Sequence, residues 1–169
     1  MMQKSGAFGS RLAGAGDAEA IHALYEAAKE WGRQGGSSDW DESYPNREIL
    51  MEDLEQGRIY VHEEGARIVA AISLLKDWRI DIAPHAWEEE DACSLARLCV
   101  HPELQGRGLG ESMMRMISER AKAMGFKATH HLASKSNPAA NRLYERMGYL
   151  RKGELALYDT DFIAYELPL

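Results

Sequence analysis

The stretch that most constrains this chain is residues 95–110, which read LARLCVHPELQGRGLG. It begins with a short apolar run, which predicts a buried strand, and His101 and Pro102 end that run. A glycine-rich turn follows, and a long helical pattern begins immediately after it. Such a turn lets backbone N–H groups approach a phosphate closely, and the helix N-terminus adds partial positive charge. The stretch therefore predicts a phosphate-binding turn, to which Arg107 adds a full charge.

Two well-known phosphate loops do not fit this turn. The P-loop requires Gly-Lys followed by Ser or Thr, which is missing here. The dinucleotide fingerprint requires two residues between its last glycines, whereas a single residue separates Gly108 from Gly110. The pattern that fits is Gln-x-x-Gly-x-Gly after a strand that ends in Val-x-Pro. This pattern resembles the acyl-CoA pyrophosphate loop of the GNAT superfamily of N-acetyltransferases.

A second stretch, residues 137–149, reads NPAANRLYERMGY and resembles the C-terminal signature of the same superfamily. In that signature an Asn opens a helix, a Tyr lies further along it, and a Gly with an aromatic residue closes it. Both stretches also occur in the order and at the separation that the superfamily shows. The resemblance covers most of the chain, strongly over residues 95–149 and more loosely from Arg11 onward.

The periodicity of apolar residues predicts strands at about 8–13, 58–63, 67–75, 94–100, 127–133, 149–157 and 161–167. It predicts helices at about 17–31, 47–56 and 108–124, and a fourth helix that Ser136 or Asn137 caps. Segments 32–44 and 76–91 are predicted to be loops. This order predicts an α/β (α+β) domain in which the helix after the central strand makes the next strand parallel.

The resemblance implies the GNAT fold for this order of elements. That fold has a mixed, mostly antiparallel sheet of six to seven strands, flanked by about four helices. Its two central strands splay apart at a bulge, and the pantetheine arm of CoA lies in the gap. We therefore expect a flexible tail over residues 1–7 and a single acyl-CoA N-acyltransferase domain over residues 8–169.

Composition narrows the class of protein further. The formal net charge of −7 argues against non-specific nucleic-acid binding. The N-terminus has no signal-peptide core, and no apolar run is long enough to span a membrane, so we expect a cytoplasmic protein without a membrane partner. Cys93 and Cys99 lie six residues apart, which by parity puts them on the same face of one strand. They do not suggest a disulfide framework.

The resemblance also implies a cofactor, acetyl-CoA, and a set of residues that bind it. Backbone groups of the central strand contact the pantetheine arm, the glycine turn holds the pyrophosphate, and the last helix contacts the CoA arm. In this chain these residues are Leu98, Cys99, Val100, Gln105, Gly106, Arg107, Gly108, Leu109, Gly110, Asn137, Asn141 and Tyr144.

Tyr144 holds the superfamily's usual position for the general acid, so we expect it to be catalytic. A phenol with a pKa of about 10 is a weaker acid than a thiol at about 8.5, so full proton transfer to the leaving thiolate costs about 2 kcal/mol. That cost is small enough for a hydrogen-bonding or late proton-donating role. The alternative for Tyr144 is a half-buried aromatic residue without a catalytic role.

The sequence does not identify a general base. Neutralising a lysine-like amine at pH 7 costs about 4–5 kcal/mol, so a base is useful. Many relatives carry a glutamate where this chain has Ser94. The acids at positions 88–91, His130 or His131, and a chain of water molecules are the remaining candidates. The two histidines are adjacent and so point to opposite faces of a strand, and no Cys/His spacing predicts a metal site.

The segment between the first two helices commonly lines the acceptor site in this superfamily. Trp40, Asp41, Glu42 and Tyr44 are therefore candidate substrate contacts, although a solvated acidic loop is an equal alternative. Its acids favour a cationic amine. We expect an N-acetyltransferase that moves acetyl from acetyl-CoA to a primary amine of a small molecule or peptide, by direct attack in a ternary complex. The rival hypothesis is a non-catalytic acyl-CoA-binding regulatory module. Homodimers are common in the superfamily, but no sequence feature demonstrates one here.

Overall fold

The structure is a computed structural model that describes residues 9–35, 40–78, 80, 86–157 and 159–169. Its strands are β1 (Ser10–Leu12), β2 (Ile59–Glu64), β3 (Arg67–Leu75), β4 (Ala92–Val100), β5 (Ala128–Ser134), β6 (Leu150–Leu157) and β7 (Thr160–Pro168). Its α-helices are α1 (Ala18–Gly35), α2 (Arg47–Glu55), α3 (Leu109–Ala123) and α4 (Pro138–Arg146). Two short 3₁₀ turns, Ala15–Asp17 and Pro102–Leu104, precede α1 and the glycine-rich turn.

The strands form one sheet in the order β1-β2-β3-β4-β5-β7-β6. Every neighbouring pair is antiparallel except β4 and β5, which run parallel because α3 crosses over between them. Seven strands and four helices in this arrangement confirm the predicted fold class. The element bounds differ from the predictions by a few residues, most clearly at α1, which continues to Gly35 rather than ending near Trp31.

Helices cover both faces of the sheet. On one face, α1 buries Ile21, Leu24 and Tyr25 against β2 and β3, at the helical spacing that predicted this apolar stripe. On the other face, α3 buries Met113 and Ile117 against the centre of the sheet. The described helices therefore cover the centre of the sheet on both sides.

A bulge interrupts β4 at Arg97. This residue has a φ of +57°, and the register with β3 shifts where Ala71 pairs with Cys99 and Ser73 pairs with Ala96. The extra residue reverses the alternation of side chains along the rest of the strand. The prediction that Cys93 and Cys99 share a face is therefore wrong. Cys93 packs on the α3 side of the sheet and Cys99 on the α1 side.

The two central strands part soon after they meet. Pairing between β4 and β5 covers only residues 92–94 of β4 and 128–130 of β5. Beyond Ser94, β4 keeps its antiparallel partner β3 but pairs no further with β5. This confirms the predicted splay. It leaves backbone groups of β4 without a strand partner on the side that faces β5.

Some predictions lie outside the described residues, among them the tail over residues 1–7 and parts of the two predicted loops, 36–39, 79 and 81–85. Within the described part of the chain, none of the helices combines the length and apolar character needed to cross a membrane.

Candidate active site

A groove of about 710 Å³ runs along the gap between the splayed strands. The C-terminal end of α1, the free stretch of β4, the glycine-rich turn and α4 form its walls. The predicted cofactor and substrate residues that line it are Trp40, Leu98, Cys99, Val100, Gln105, Gly106, Gly108, Leu109, Gly110, Asn137 and Tyr144. The fold thus brings the two recognised sequence stretches, which are separated by most of α3 and all of β5, into one cavity.

The glycine turn, residues 105–110, has the backbone conformation that its glycines predict. Gly106 and Gly108 both have a φ of +79°, which side-chain-bearing residues rarely adopt. Gly108 caps α3 without a side chain, so the first N–H groups of that helix have no partner within it. The Gln105 side chain donates to the Val100 carbonyl at 3.0 Å and fixes the turn against the end of β4. The arrangement is suited to holding an anion.

Two members of the predicted cofactor set lie beside the groove rather than in it. Arg107 is 56% exposed and lies 3.6 Å from the carboxylate of Glu64. Asn141 is buried, and its amide nitrogen donates to the backbone carbonyls of Ser134 and Asn137 at 2.9 Å each. Its amide oxygen accepts from the Tyr165 hydroxyl at 2.9 Å. The polar groups of Asn141 thus connect α4 to the sheet.

Asn137 caps α4 and also lines the groove. Its side-chain oxygen accepts from the backbone N–H of Ala140 at 3.2 Å. Tyr144, almost two turns further along α4, lines the same groove. The cap and the phenol therefore line one cavity.

Tyr144 belongs to a buried aromatic cluster. Its ring packs edge-on against His131 at 4.3 Å between centroids, and Tyr149 and Tyr165 lie at 5.7 and 5.5 Å. Burial, together with Tyr149 and Tyr165, raises the pKa of Tyr144 well above its ordinary value. The phenol is therefore protonated at neutral pH and available as a hydrogen-bond donor.

His131 lies within this cluster as a neutral ring. Neither of its ring nitrogens has a hydrogen-bond partner in the part of the chain that the structure describes. Burial, with a smaller contribution from His130, lowers the pKa of His131 to about 3. His130 points to the opposite face, as predicted, where it hydrogen-bonds Glu166 at 2.7 Å and stacks on Trp87 at 3.7 Å.

Ser94, where many relatives carry a glutamate, and Glu88, one of the candidate bases, are both engaged elsewhere. Ser94 donates to the Trp78 carbonyl at 2.7 Å, and Glu88 forms an ion pair with Lys152. Among the described residues, none of the candidates named in the sequence, including His130 and His131, lines the groove. These side chains are therefore not placed to take a proton directly from an amine held in the groove.

The predicted acceptor segment divides between the groove and the surface. Trp40 lines the groove and packs edge-on against Tyr25 at 5.5 Å. Asp41 turns its carboxylate onto Ser43 and the backbone N–H of Tyr44, at 2.6 to 3.1 Å. Glu42 is exposed. Of the predicted acceptor residues, Trp40 therefore lines the groove, whereas Asp41 and Glu42 do not.

The sequence reasoning missed a cluster next to this wall, which we call the Arg97 cluster: Arg97, Asp53, Ser73 and Tyr44. Arg97 projects from the β4 bulge and contacts Asp53 of α2 through Nε and Nη2, at 2.9 and 2.7 Å. Its Nη1 donates to the Tyr44 hydroxyl at 3.2 Å, and Ser73 donates to Asp53 at 2.9 Å. A charged residue inside the apolar run LARLCV was the available signal.

The two cysteines are not suited to nucleophilic catalysis. Both thiols are buried, and burial raises the pKa of Cys93 and of Cys99 to about 12. A thiol must lose its proton to attack a thioester. At neutral pH both cysteines are protonated, which disfavours an acyl-enzyme on either of them.

The splayed sheet, the glycine turn and the groove between them define an acyltransferase domain of the acyl-CoA-binding type. The family model of the acetyltransferase (GNAT) family matches residues 19–149, most of the chain. The chain therefore belongs to the GNAT acetyltransferase family, and acetyl-CoA is the cofactor that this family uses.

Individual relatives agree with this assignment. The chain is 26% identical to S-(2-succino)cysteine N-acetyltransferase of Bacillus subtilis (strain 168) over 85% of each protein. It is 34% identical to the uncharacterized N-acetyltransferase YjgM of Escherichia coli (strain K12), but that match spans 40% of this chain and 41% of the relative. A GNAT acetyltransferase of Listeria monocytogenes superposes with a TM-score of 0.78 at 22% identity, over 96% of this chain and 95% of that one. An acetyltransferase of Salmonella typhimurium, whose structure includes its cofactor acetyl-CoA, superposes with a TM-score of 0.71 at 18% identity. The superposition covers 96% of this chain and 94% of that one.

Proposed function

We propose that this protein transfers the acetyl group of acetyl-CoA to a primary amine by direct attack within a ternary complex. The observation that carries the proposal is the continuous groove. It connects the glycine turn, which suits a pyrophosphate, to the buried phenol of Tyr144 along the unpaired edge of β4. A long, flexible acyl carrier with an anionic end fits such a groove. The B. subtilis relative, named for an amino acid derivative as acceptor, supports an amine substrate.

Bound acetyl-CoA would supply an activated acetyl thioester. The glycine turn and the first turn of α3 would hold the anionic end of the carrier through backbone N–H groups. Backbone N–H groups near Cys99 would stabilise the carbonyl oxygen as charge develops on it. The Tyr144 hydroxyl would donate a hydrogen bond to the sulfur as the C–S bond breaks and the C–N bond forms. The nitrogen would lose its second proton to water as the amide forms, and solvent would protonate the thiolate, because the raised pKa of Tyr144 keeps the proton on its phenol.

Direct attack is favoured over a covalent enzyme intermediate because the cysteine thiols stay protonated. Since none of the candidate bases among the described residues lines the groove, the amine loses its proton before the attack, to water that enters with it. We also infer a cytoplasmic location, because two buried free thiols suit a reducing compartment.

The test is an acetyl-transfer assay against a panel of amines: small metabolites, aminoglycosides, lysine and peptide N-termini. Release of free CoA thiol is followed with a thiol reagent, and the acetylated amine is identified by mass spectrometry. We expect thiol release that depends on both acetyl-CoA and one class of amine. Binding of acetyl-CoA without amine-dependent thiol release across the panel would instead favour the regulatory module.

A further inference from the structure

Arg97 has hydrogen-bonding capacity that its protein contacts do not use. A guanidinium group carries five N–H donors. Two donate towards Asp53 from Nε and Nη2, and one from Nη1 reaches the Tyr44 hydroxyl. In the part of the chain that is described, the other two have no partner, although the side chain is only 9% exposed. A nearly buried cation with unused donors favours an anionic ligand.

The charge balance of the Arg97 cluster also favours an anionic ligand. The carboxylate of Asp53 is shared between two arginines, because Arg58 Nη1 lies 3.2 Å from its other oxygen. Arg58 has a second acid, Glu52, at 3.6 Å, but Glu52 is exposed and its charge is screened by solvent. One buried carboxylate therefore faces two guanidinium groups, and positive charge remains on the buried side.

The Arg97 guanidinium lies beside the groove rather than in its lining. Its Nη1 contacts the hydroxyl of Tyr44, whose side chain is 38% exposed. Arg97 directly precedes Leu98, which lines the groove, and Trp40 forms the adjoining wall. A ligand that reaches Arg97 from the groove would therefore pass between Trp40 and Tyr44.

We propose that Arg97 binds a carboxylate of the acceptor, so that the acceptor is a small molecule with both a primary amine and a carboxylate, as in an amino acid. This rests on the proposed function, because the amine is the group that receives the acetyl. A carboxylate matches the planar donors of a guanidinium, and the Tyr44 hydroxyl can donate to its second oxygen. Asp41 is charged but exposed, and its carboxylate accepts hydrogen bonds from Ser43 and the Tyr44 backbone, so solvent screens its charge from the ligand.

The test compares each accepted L-amino acid with its own carboxamide, which keeps the amine and side chain but lacks the carboxylate. Each pair is assayed with saturating acetyl-CoA, at pH values that give both compounds the same fraction of free amine. We expect the wild-type enzyme to prefer the acid by about ten- to a hundred-fold in kcat/KM, the range of a hydrogen bond to a charged group.

Arg97→Gln should bring the kcat/KM for the acid close to the kcat/KM for its amide, so that their ratio is about one. The main cause should be a higher KM for the acid. The KM of acetyl-CoA should not change. Arg97→Lys should keep part of the preference, because a cation remains. Tyr44→Phe, an exposed change, should lower the ratio a few-fold. The matched control is Arg47→Gln, which removes an exposed arginine of α2 that pairs with Glu19 outside the Arg97 cluster, and it should leave the ratio unchanged.

A merely structural Arg97 would lower kcat/KM equally for acid and amide, and that result would overturn the proposal. It is also overturned if the wild-type enzyme prefers amides, or if Arg97→Lys and Tyr44→Phe both leave the ratio unchanged. If the enzyme acetylates amines that lack a carboxylate but does not acetylate any amino acid, the carboxylate site is rejected. The proposed function is then retained. The absence of thiol release with every amine, while acetyl-CoA still binds, would reject both.

Discussion

The glycine turn and the Arg97 cluster are built in different ways. The glycine turn, in the groove, is a run of consecutive residues, and it presents backbone N–H groups whose geometry two positive φ angles determine. The Arg97 cluster, beside the groove, joins side chains from β3, β4, α2 and the segment before α2. A site made of backbone can be recognised in a short motif. A site made of side chains exists only after the sheet and helices have assembled.

The difference matches what we propose that each region recognises: the glycine turn a pyrophosphate, and the Arg97 cluster the acceptor. A pyrophosphate is the same in every reaction that uses the carrier, so a fixed backbone cradle serves it. The acceptor differs between enzymes, so its contacts come from side chains that can be replaced without altering the sheet. We therefore expect changes in the glycine turn to affect every acceptor alike, and changes in the Arg97 cluster to affect one class of acceptor.

The largest expected effect comes from Gly108→Val. The valine adds strain at a φ of +79° and puts its side chain where the carrier's phosphates approach. We expect the Kd of acetyl-CoA, measured by calorimetry, to rise at least a hundred-fold, which is about 3 kcal/mol. Gly65→Val is the matched control, because Gly65 also has a positive φ, with open space around it, in the β2–β3 turn. A similar loss of affinity in both variants would attribute it to strain.

The next effect tests whether the groove ends at a reacting centre. Tyr144→Phe removes only the hydroxyl, so folding and acetyl-CoA affinity should persist. A lost hydrogen bond to a charged group costs about 1.5–3 kcal/mol, so kcat should fall about ten- to a hundred-fold if thiolate departure limits the rate. The measurement is single-turnover acetyl transfer.

The control for Tyr144→Phe is Tyr149→Phe. Tyr149 lies in the same aromatic cluster but does not line the groove, and its hydroxyl faces Ser118 at 3.5 Å. It should retain wild-type kcat. If Tyr144→Phe binds acetyl-CoA and keeps the wild-type rate, Tyr144 contributes to packing and has no catalytic role.

The pH dependence of the free energy of unfolding tests the aromatic cluster that packs against Tyr144. Because the pKa of His131 in the folded state is lowered to about 3, its neutral form stabilises the protein above pH 6.5, and this stability is lost as the pH falls towards 3. At pH 5 the loss is about 2 kcal/mol. In His131→Phe the free energy of unfolding should change less between pH 7 and pH 5, as measured by urea titration. An unchanged pH dependence would contradict the buried neutral ring.

The smallest effect concerns the acids of the predicted acceptor segment. Asp41 and Glu42 are exposed, and solvent and salt screen their charges. Replacing Asp41 and Glu42 by Asn and Gln should raise the KM of the amine no more than about three-fold and leave that of acetyl-CoA unchanged. Steady-state kinetics at low and high salt measure this. An increase in the KM of the amine larger than that caused by Arg97→Gln would indicate that this acidic segment, rather than Arg97, recognises the acceptor.

The sequence by itself determined the fold class and the backbone conformation of the glycine turn that lines the groove. Apolar periodicity located every strand and helix to within a few residues, because burial of one face imposes that period on the chain. The glycine turn and the start of α4 were also readable, since their caps and turn conformations depend on near neighbours in the sequence.

Only the tertiary structure decided the rest. The parity argument for Cys93 and Cys99 failed because one bulge residue, Arg97, reversed the faces of β4. Asp53 meets Arg97 across 44 residues of sequence. That contact could not be predicted from local pattern, since it depends on where α2 docks on the sheet. Local sequence specifies backbone conformation and periodicity, whereas the meeting of distant side chains depends on packing of the whole chain.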